Sequence, residues 1–490
     1  MDFDLFFAQF LFDEKQPLLF HTGFFLSIFS VFMLLYAFFY DKKKLRYVLI
    51  ISFGFYFYYK ASGNFLLLLL TTISADYLFS IGISRAQNKI YKKIFLTIGI
   101  LFSLSFLIYF KYAGFFEAQY ATIVGNSYKA EEVILPIGIS FYTFQSISYL
   151  VDTYYQKFER PSFGAYLLYM TYFPHLVAGP IVRAKDFLPQ IESENADTSV
   201  SLTNHHLHEA FYLILKGFVK KAIIGDFVAQ YADIVFASPA DYLGTAHILA
   251  TLCYTLQIFC DFSGYTDMAI GISLLLGYRL SKNFDSPYRA LNITDFWRKW
   301  HISLSFWLRD YVYIPLGGSR KGFYLQLLFL LITMLVGGFW HGADWKFIFW
   351  GAAHGFLLIF HKLFLRYTEG TFWRKIPAFI AWLLTFSLVA LLWIPFRAAT
   401  MADALFMFKS IFTTVDLPFI RQLFFNNPLL FVLLFLGYAA TILPTIWKEK
   451  IQTWYFDTDF TTKIFFFAIV IQIMLQIKSE TVQPFIYFQF

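Results

Sequence analysis

The stretch FYLQLLFLLITMLVGGFWHG, residues 323–342, decides what kind of molecule this chain is. Its first ~18 residues carry no charged side chain and suffice to cross the hydrocarbon core of a bilayer as a helix. The run ends on His341 rather than on a basic anchor. The next apolar run, 347–364, contains WGAAHG at 350–355, with His354, and then His361.

Working outward, the same reading finds apolar runs at 24–40, 47–59, 65–83, 94–110, 133–149, 166–182 and 211–224. Others follow at 246–278, 376–394, 429–443 and 464–477. The run at 47–59 is short enough to tilt or re-enter. The run at 246–278 is too long for one span and is expected to break at Asp261-Phe262-Ser263-Gly264. The fold class is therefore all-α: a polytopic transmembrane helical bundle of about 12 spans, with re-entrant and amphipathic helices. No repeat or linker divides the chain, so one membrane domain over residues 1–490 is expected.

Composition agrees. Hydrophobic residues make up 58% of the chain and charged residues 14%, against about 25% charged in an ordinary soluble domain. A water-soluble core is excluded. The formal net charge of +7 sits in short loops between apolar runs, which reads as a positive-inside bias and not as a nucleic-acid surface. Lys42, Lys43, Lys44 and Arg46 form one such loop, and Lys89, Lys92 and Lys93 another. Two spans separate them, so both belong on the cytoplasmic side and the N-terminus outside. Lys448 and Lys450 before the last run put the C-terminus outside too. The first twenty residues hold Asp2, Asp4, Asp13 and Glu14 and lack a basic n-region, so the first span is expected to act as its own insertion signal. Cys253 and Cys260 fall on one helix face two turns apart, too far for a disulfide without distortion.

Residues 279–322 are the least lipid-like long region. Arg279, Lys282, Arg289, Arg298, Lys299, Arg309, Arg320 and Lys321 alternate with Trp297, Trp300 and Trp307. Amphipathic helices at the cytoplasmic interface, or folded into the bundle, fit that pattern.

Chemistry-bearing residues are few. A histidine beside a span is costly and has a pKa suited to base catalysis. A catalytic base and an interfacial histidine bonded to a carbonyl both fit His341. Its flanking glycines admit close approach of another chain or a substrate. A proton relay through His354 stays open, whereas His361, beside Lys362, reads as interfacial. Basic residues around His301 suit a phosphate-bearing donor or lipid headgroups equally. Asp261 and Asp267 need partners inside an apolar run, and arginines from 279–322 are the expected ones. His205, His206 and His208 lie in an expected polar loop without companion acids or cysteines, so no metal site is assigned. Phosphate-loop, dinucleotide-binding and nucleophile-elbow motifs are absent from the sequence.

FWRKWHISLSFWLRDYVYIPLGG at 296–318, followed by WHGA at 340–343, closely resembles the membrane-bound O-acyltransferase family in its bacterial branch. LPIGISFYTF at 135–144, FPHLVAGP at 173–180, DFSGYTDMAIG at 261–271 and PFIYFQF at 484–490 resemble it too, so the likeness covers nearly the whole chain. The resemblance implies transfer of an acyl group from a cytoplasmic donor across the membrane to a hydroxyl of an extracytoplasmic polysaccharide or peptidoglycan. It makes His341 and His301 the catalytic candidates. Arg298, Lys299, Trp300, Arg309, Trp340 and His354 become acyl-donor or tunnel candidates; Asp261 and Asp267, from their place inside an apolar run, are read as structural charges. It also implies no bound cofactor, acetyl-CoA as donor substrate, an extracytoplasmic esterase-like partner and residence in the bacterial inner membrane. D-alanyl transfer to an envelope polymer is the nearest alternative within the family. A flippase for a lipid-linked glycan is the alternative of another class, weakened because the two Trp-His regions are not duplicated as transporter repeats are. One distance is awkward: an 18-residue span would separate His301 and His341 by ~27 Å unless 279–322 folds into the bundle.

Overall fold

The computed structural model describes residues 8–13, 17–125, 134–177, 179–192 and 204–477. Val133, Ala178 and the PFIYFQF stretch at 484–490 lie outside the described residues. Among the described residues every regular element is a helix. Leucine, a good helix former, and phenylalanine, which supplies apolar bulk, fill the apolar runs. Without water, a backbone must satisfy its own N–H and C=O groups, which a helix does within one segment.

Among the described residues, six helical runs are long and apolar enough to cross a membrane: Lys43–Arg85, Lys89–Val124, Phe323–His341, Trp345–Tyr367, Ala378–Arg397 and Phe460–Ile477. Leu417–Asn426 and Pro428–Ile442, bent by 96°, make a seventh if taken as one span. The protein is thus a multi-pass membrane protein, with fewer such helices than the expected twelve. The difference has a physical reason. The runs at 47–59 and 65–83 fall in one helical stretch, joined through the short Gly63–Phe65 turn. One stretch and not two spans therefore separates the basic loops at 42–46 and 89–93, and the expectation that both share the cytoplasmic side loses that support. The run at 133–149 becomes the Ile139–Tyr154 helix, which is buried along nearly its whole length in protein rather than lipid. The run at 166–182 stops at Thr171, where Tyr172 turns extended ahead of Pro174.

By their internal contacts the residues form two compact units. One comprises Met1–Phe211 and Met268–Ser281, the other Tyr212–Asp267 and Lys282–Phe490. In the first, Phe20, Phe29, Phe32, Phe53 and Phe57 pack around Phe173. Asp76 is fully buried there and accepts hydrogen bonds from Ser103 (3.1 Å), Tyr166 (3.2 Å) and Ser146. Sequence reasoning passed over this carboxylate because it stands alone in the 65–83 run. His205, His206 and His208, expected in a loop, sit instead in the first turns of the Asn204–Phe218 helix.

The second unit holds the histidine-rich chemistry. The Gly244–Leu275 helix runs unbroken for 32 residues, against the expected break at 261–264. Gly264 is there for packing and not for a kink: a Cβ on it would lie 2.9 Å from the Gly217 carbonyl oxygen. That close approach carries the lysines of 216–221 up to the aspartates. Lys221, buried, bridges Asp226 (2.8 Å) and Asp261, while Lys220 and Lys216 hold Asp267 at 2.7 and 3.2 Å. The partners of Asp261 and Asp267 are therefore lysines of the preceding helix, not arginines of 279–322. Cys253 and Cys260 are buried free thiols.

Candidate active site

Residues 279–322 fold inward, and that places the two histidines together. Asn292 caps the Ile293–Lys299 helix, its side chain accepting the Asp295 N–H at 2.8 Å. The chain then turns at His301, whose backbone is left-handed (φ +42°), and resumes as Ile302–Leu308. A left-handed backbone at a residue with a Cβ costs ~1–3 kcal/mol and persists only where its surroundings hold it. Asn283 does so. Its carbonyl oxygen accepts the Ile302 N–H at 2.9 Å, and its Oδ1 accepts from the Ser303 N–H (3.2 Å) and Oγ (2.8 Å). An oxygen that accepts from a backbone N–H must also accept from His301 Nδ1, 3.2 Å away. The His301 proton is therefore on Nδ1 and the lone pair on Nε2. His301 is fully buried and lies outside the six candidate spans, and burial pushes its imidazole down to about 3. It is neutral at physiological pH.

His341 is the last residue of the Phe323–His341 helix and is 4% exposed. The chain extends at Gly342 and re-enters a helix at Trp345, capped by Asp344 accepting the Lys346 N–H at 2.9 Å. Of the glycines around His341, Gly338 and Gly342 serve this helical hairpin. A Cβ on Gly338 would sit 2.3 Å from the Phe347 carbonyl oxygen, and one on Gly342 2.1 Å from the Phe347 ring. Gly351 meets Gly338 from the other side, with 2.4 Å from its would-be Cβ to the Met334 carbonyl.

Trp340 links the two histidines. Its ring centroid is 6.0 Å from His301 and 4.9 Å from His341, edge-to-face in both cases. The ~27 Å separation of an isolated span is thus abolished by infolding. Trp350 and Phe396, each 5.1 Å from His341, form further walls around it, and Phe262 packs on His301 at 4.7 Å. Trp350 leads on to His354 (4.6 Å) and Trp393 (5.7 Å), and Trp393 to Trp300 (5.0 Å). Trp297 donates its indole N–H to His354 Nδ1 at 3.3 Å.

Of the residues singled out in the sequence, His301, Trp300, Trp340, His341 and His354 belong to this cluster. Arg298, Lys299 and Arg309 do not. Arg298 and Arg309 are exposed; Lys299 pairs with Asp295 (2.8 Å) and Arg309 with Asp310 (2.7 Å). His361 bonds Thr294 at 2.8 Å, away from the cluster. Trp350, Trp393, Phe396 and Asn283 were missed. Only Trp350 left a legible signal, one helical turn before His354.

A buried cluster of tryptophans, with two buried histidines on one indole, suits proton transfer and charge development away from water. Known proteins point to the same chemistry. The model of the MBOAT, membrane-bound O-acyltransferase, family matches residues 55–401, and this chain belongs to that family: it is a membrane-bound acyltransferase. It is 37% identical over 363 residues to a peptidoglycan O-acetyltransferase of Helicobacter pylori, covering 69% of this chain and 68% of the relative. It is 37% identical over 410 residues to a probable alginate O-acetylase of Pseudomonas aeruginosa, covering 81% and 75%. A teichoic acid D-alanyltransferase of Streptococcus thermophilus is 31% identical over 242 residues, covering 47% and 57%. Membership of an acyltransferase family displaces the flippase alternative.

Proposed function

We propose that this protein moves an acetyl group from acetyl-CoA, engaged at the cytoplasmic face, to a hydroxyl of an extracytoplasmic polysaccharide or peptidoglycan. Residence in the bacterial inner membrane, with both termini outside, and completion of the transfer by an extracytoplasmic esterase-like partner belong to the same reading. The observation that carries it is His341, buried at a span end and joined through Trp340 to the neutral, Asn283-clamped His301. The relatives named for peptidoglycan and alginate acetylation support acetyl as the group.

His341 takes the proton of the acceptor hydroxyl as its oxygen attacks the thioester carbonyl. General-base assistance supplies ~10²–10⁴-fold; the rest comes from orientation and from stabilising the oxyanion. His301, across Trp340, fixes the indole that forms one wall. The test is chemical analysis of the envelope. In the organism of origin, with the chromosomal copy replaced by His341→Ala, mild base should release far less acetate from peptidoglycan or polysaccharide than in wild type. Unchanged acetate with loss of esterified D-alanine would overturn acetyl in favour of the D-alanyl transfer named for the streptococcal relative.

A further inference from the structure

The Trp345–Tyr367 helix carries two N–H donors that the fold leaves without an acceptor. Trp350 is 1% exposed, and its Nε1 has no hydrogen-bond partner among the described residues. His354, one turn on and fully buried, accepts the Trp297 N–H on Nδ1. A ring nitrogen that accepts cannot also carry a proton, so the neutral His354 ring bears its hydrogen on Nε2. That Nε2 is likewise buried and without a partner among the described residues.

Native proteins leave few buried donors unmade, and each one calls for an explanation. Here two occur at i and i+4, on one face of one helix. Their rings lie 4.6 Å apart, and the Trp350 ring is 5.1 Å from His341. Of the rings around them, Trp297, Trp393 and Phe396 supply no acceptor, since an indole nitrogen only donates and a phenyl ring has no polar atom; the His341 imidazole, which can accept, is the base itself. A carbonyl oxygen brought in by the acyl donor, beside the base, would supply both donors with an acceptor.

We propose that Trp350 Nε1–H and His354 Nε2–H form the oxyanion hole and bind the carbonyl oxygen of the acyl group in transfer. The proposal rests on the acyl-transfer reading above. The acceptor oxygen bonds to the carbonyl carbon, the C=O π pair moves onto oxygen, and His341 takes the hydroxyl proton. The oxyanion is held by the two donors. On collapse the C=O bond re-forms, the C–S bond breaks, and the thiolate leaves with the proton from His341. Trp297 fixes the tautomer that makes His354 a donor on this side. The ligand class is a thioester or ester carbonyl, with no charge required on the acyl group.

The experiment uses inside-out membrane vesicles from the organism of origin, supplied with [14C]acetyl-CoA. Trp350 is replaced by β-(3-benzothienyl)alanine, which keeps the bicycle and puts sulfur where the N–H was. The expected result is a fall of about 10²–10³-fold in kcat, with the KM for acetyl-CoA and the thermal unfolding midpoint close to wild type. His354→Phe should fall similarly, and His354→Gln, which restores an N–H, should recover part of the rate. A benzothienyl variant with wild-type kcat overturns the hole, and so does one whose loss tracks loss of folded protein or is confined to KM. In each of those cases a wild-type signal abolished by His341→Ala leaves the acyl-transfer reading standing. A wild type that transfers no label sinks that reading and the hole with it.

Discussion

His341 and His301 owe their properties to different anchors. His341 ends a span, so a small polar step there is paid by contacts with Trp340, Trp350 and Phe396. His301 sits at a strained turn held by Asn283. Asn283→Ala removes the acceptor of His301 Nδ1 and of Ser303. It should cost about 1–3 kcal/mol of stability and lower acetyl transfer, seen as a drop in both melting temperature and rate. Burial also makes His301 pH-sensitive in a definite direction. Its folded value, about 3, lies below the ordinary 6.5. Between those values the unfolded chain binds a proton that the folded one refuses, so stability falls as pH drops from 6.5 towards 3. One such proton gives a slope of up to about 1.4 kcal/mol per pH unit. His301→Asn should flatten the melting-temperature profile of the micelle-solubilised protein across that range; an unchanged profile would contradict the assignment. His341 was legible in the sequence as an exception to lipid-like composition, and His301 through the family resemblance of the stretch that carries it. Their shared indole was not, because spacing along a chain says nothing of which turn folds back.

Between elements, close packing and paired charge do the positioning. The Phe323–His341 and Trp345–Tyr367 helices touch backbone to backbone at Gly338 and Gly351. Gly338→Leu cannot be housed there without parting the hairpin. It should destabilise by about 1–3 kcal/mol or more, as overpacking does, and displace His341. Gly164→Ala, with open space where its Cβ would go, is the matched control and should be neutral by thermal unfolding. Lys221→Met should cost about 3–5 kcal/mol, because it strips buried Asp261 and Asp226 of their shared cation. The helical character of these segments was plain from their apolar runs. The lysine partners were not, since Lys216, Lys220 and Lys221 sit in a run that itself reads as a span and offers no hint of its neighbour. The unbroken Gly244–Leu275 helix makes the same point from the other side: Gly264 looked like a breaker and is a contact.

At the scale of the whole molecule, the membrane class was settled by composition, while the number of crossings was not. Apolar runs buried in protein, such as Ile139–Tyr154, look the same in sequence as runs facing lipid. The proposed orientation gives a direct check. A cysteine placed at Lys43, in the first basic loop, should react with a membrane-impermeant maleimide in inside-out vesicles and stay unlabelled in intact spheroplasts; the reverse pattern would invert the topology. The proposed chemistry gives His341, buried at a span end, the role of base in acyl transfer across the bilayer. The most direct test is transfer of [14C]acetyl from acetyl-CoA to base-labile esters in inside-out vesicles, wild type against His341→Ala at equal folded protein. A fall of at least about 10²-fold is the predicted result, and transfer at the wild-type rate would contradict it.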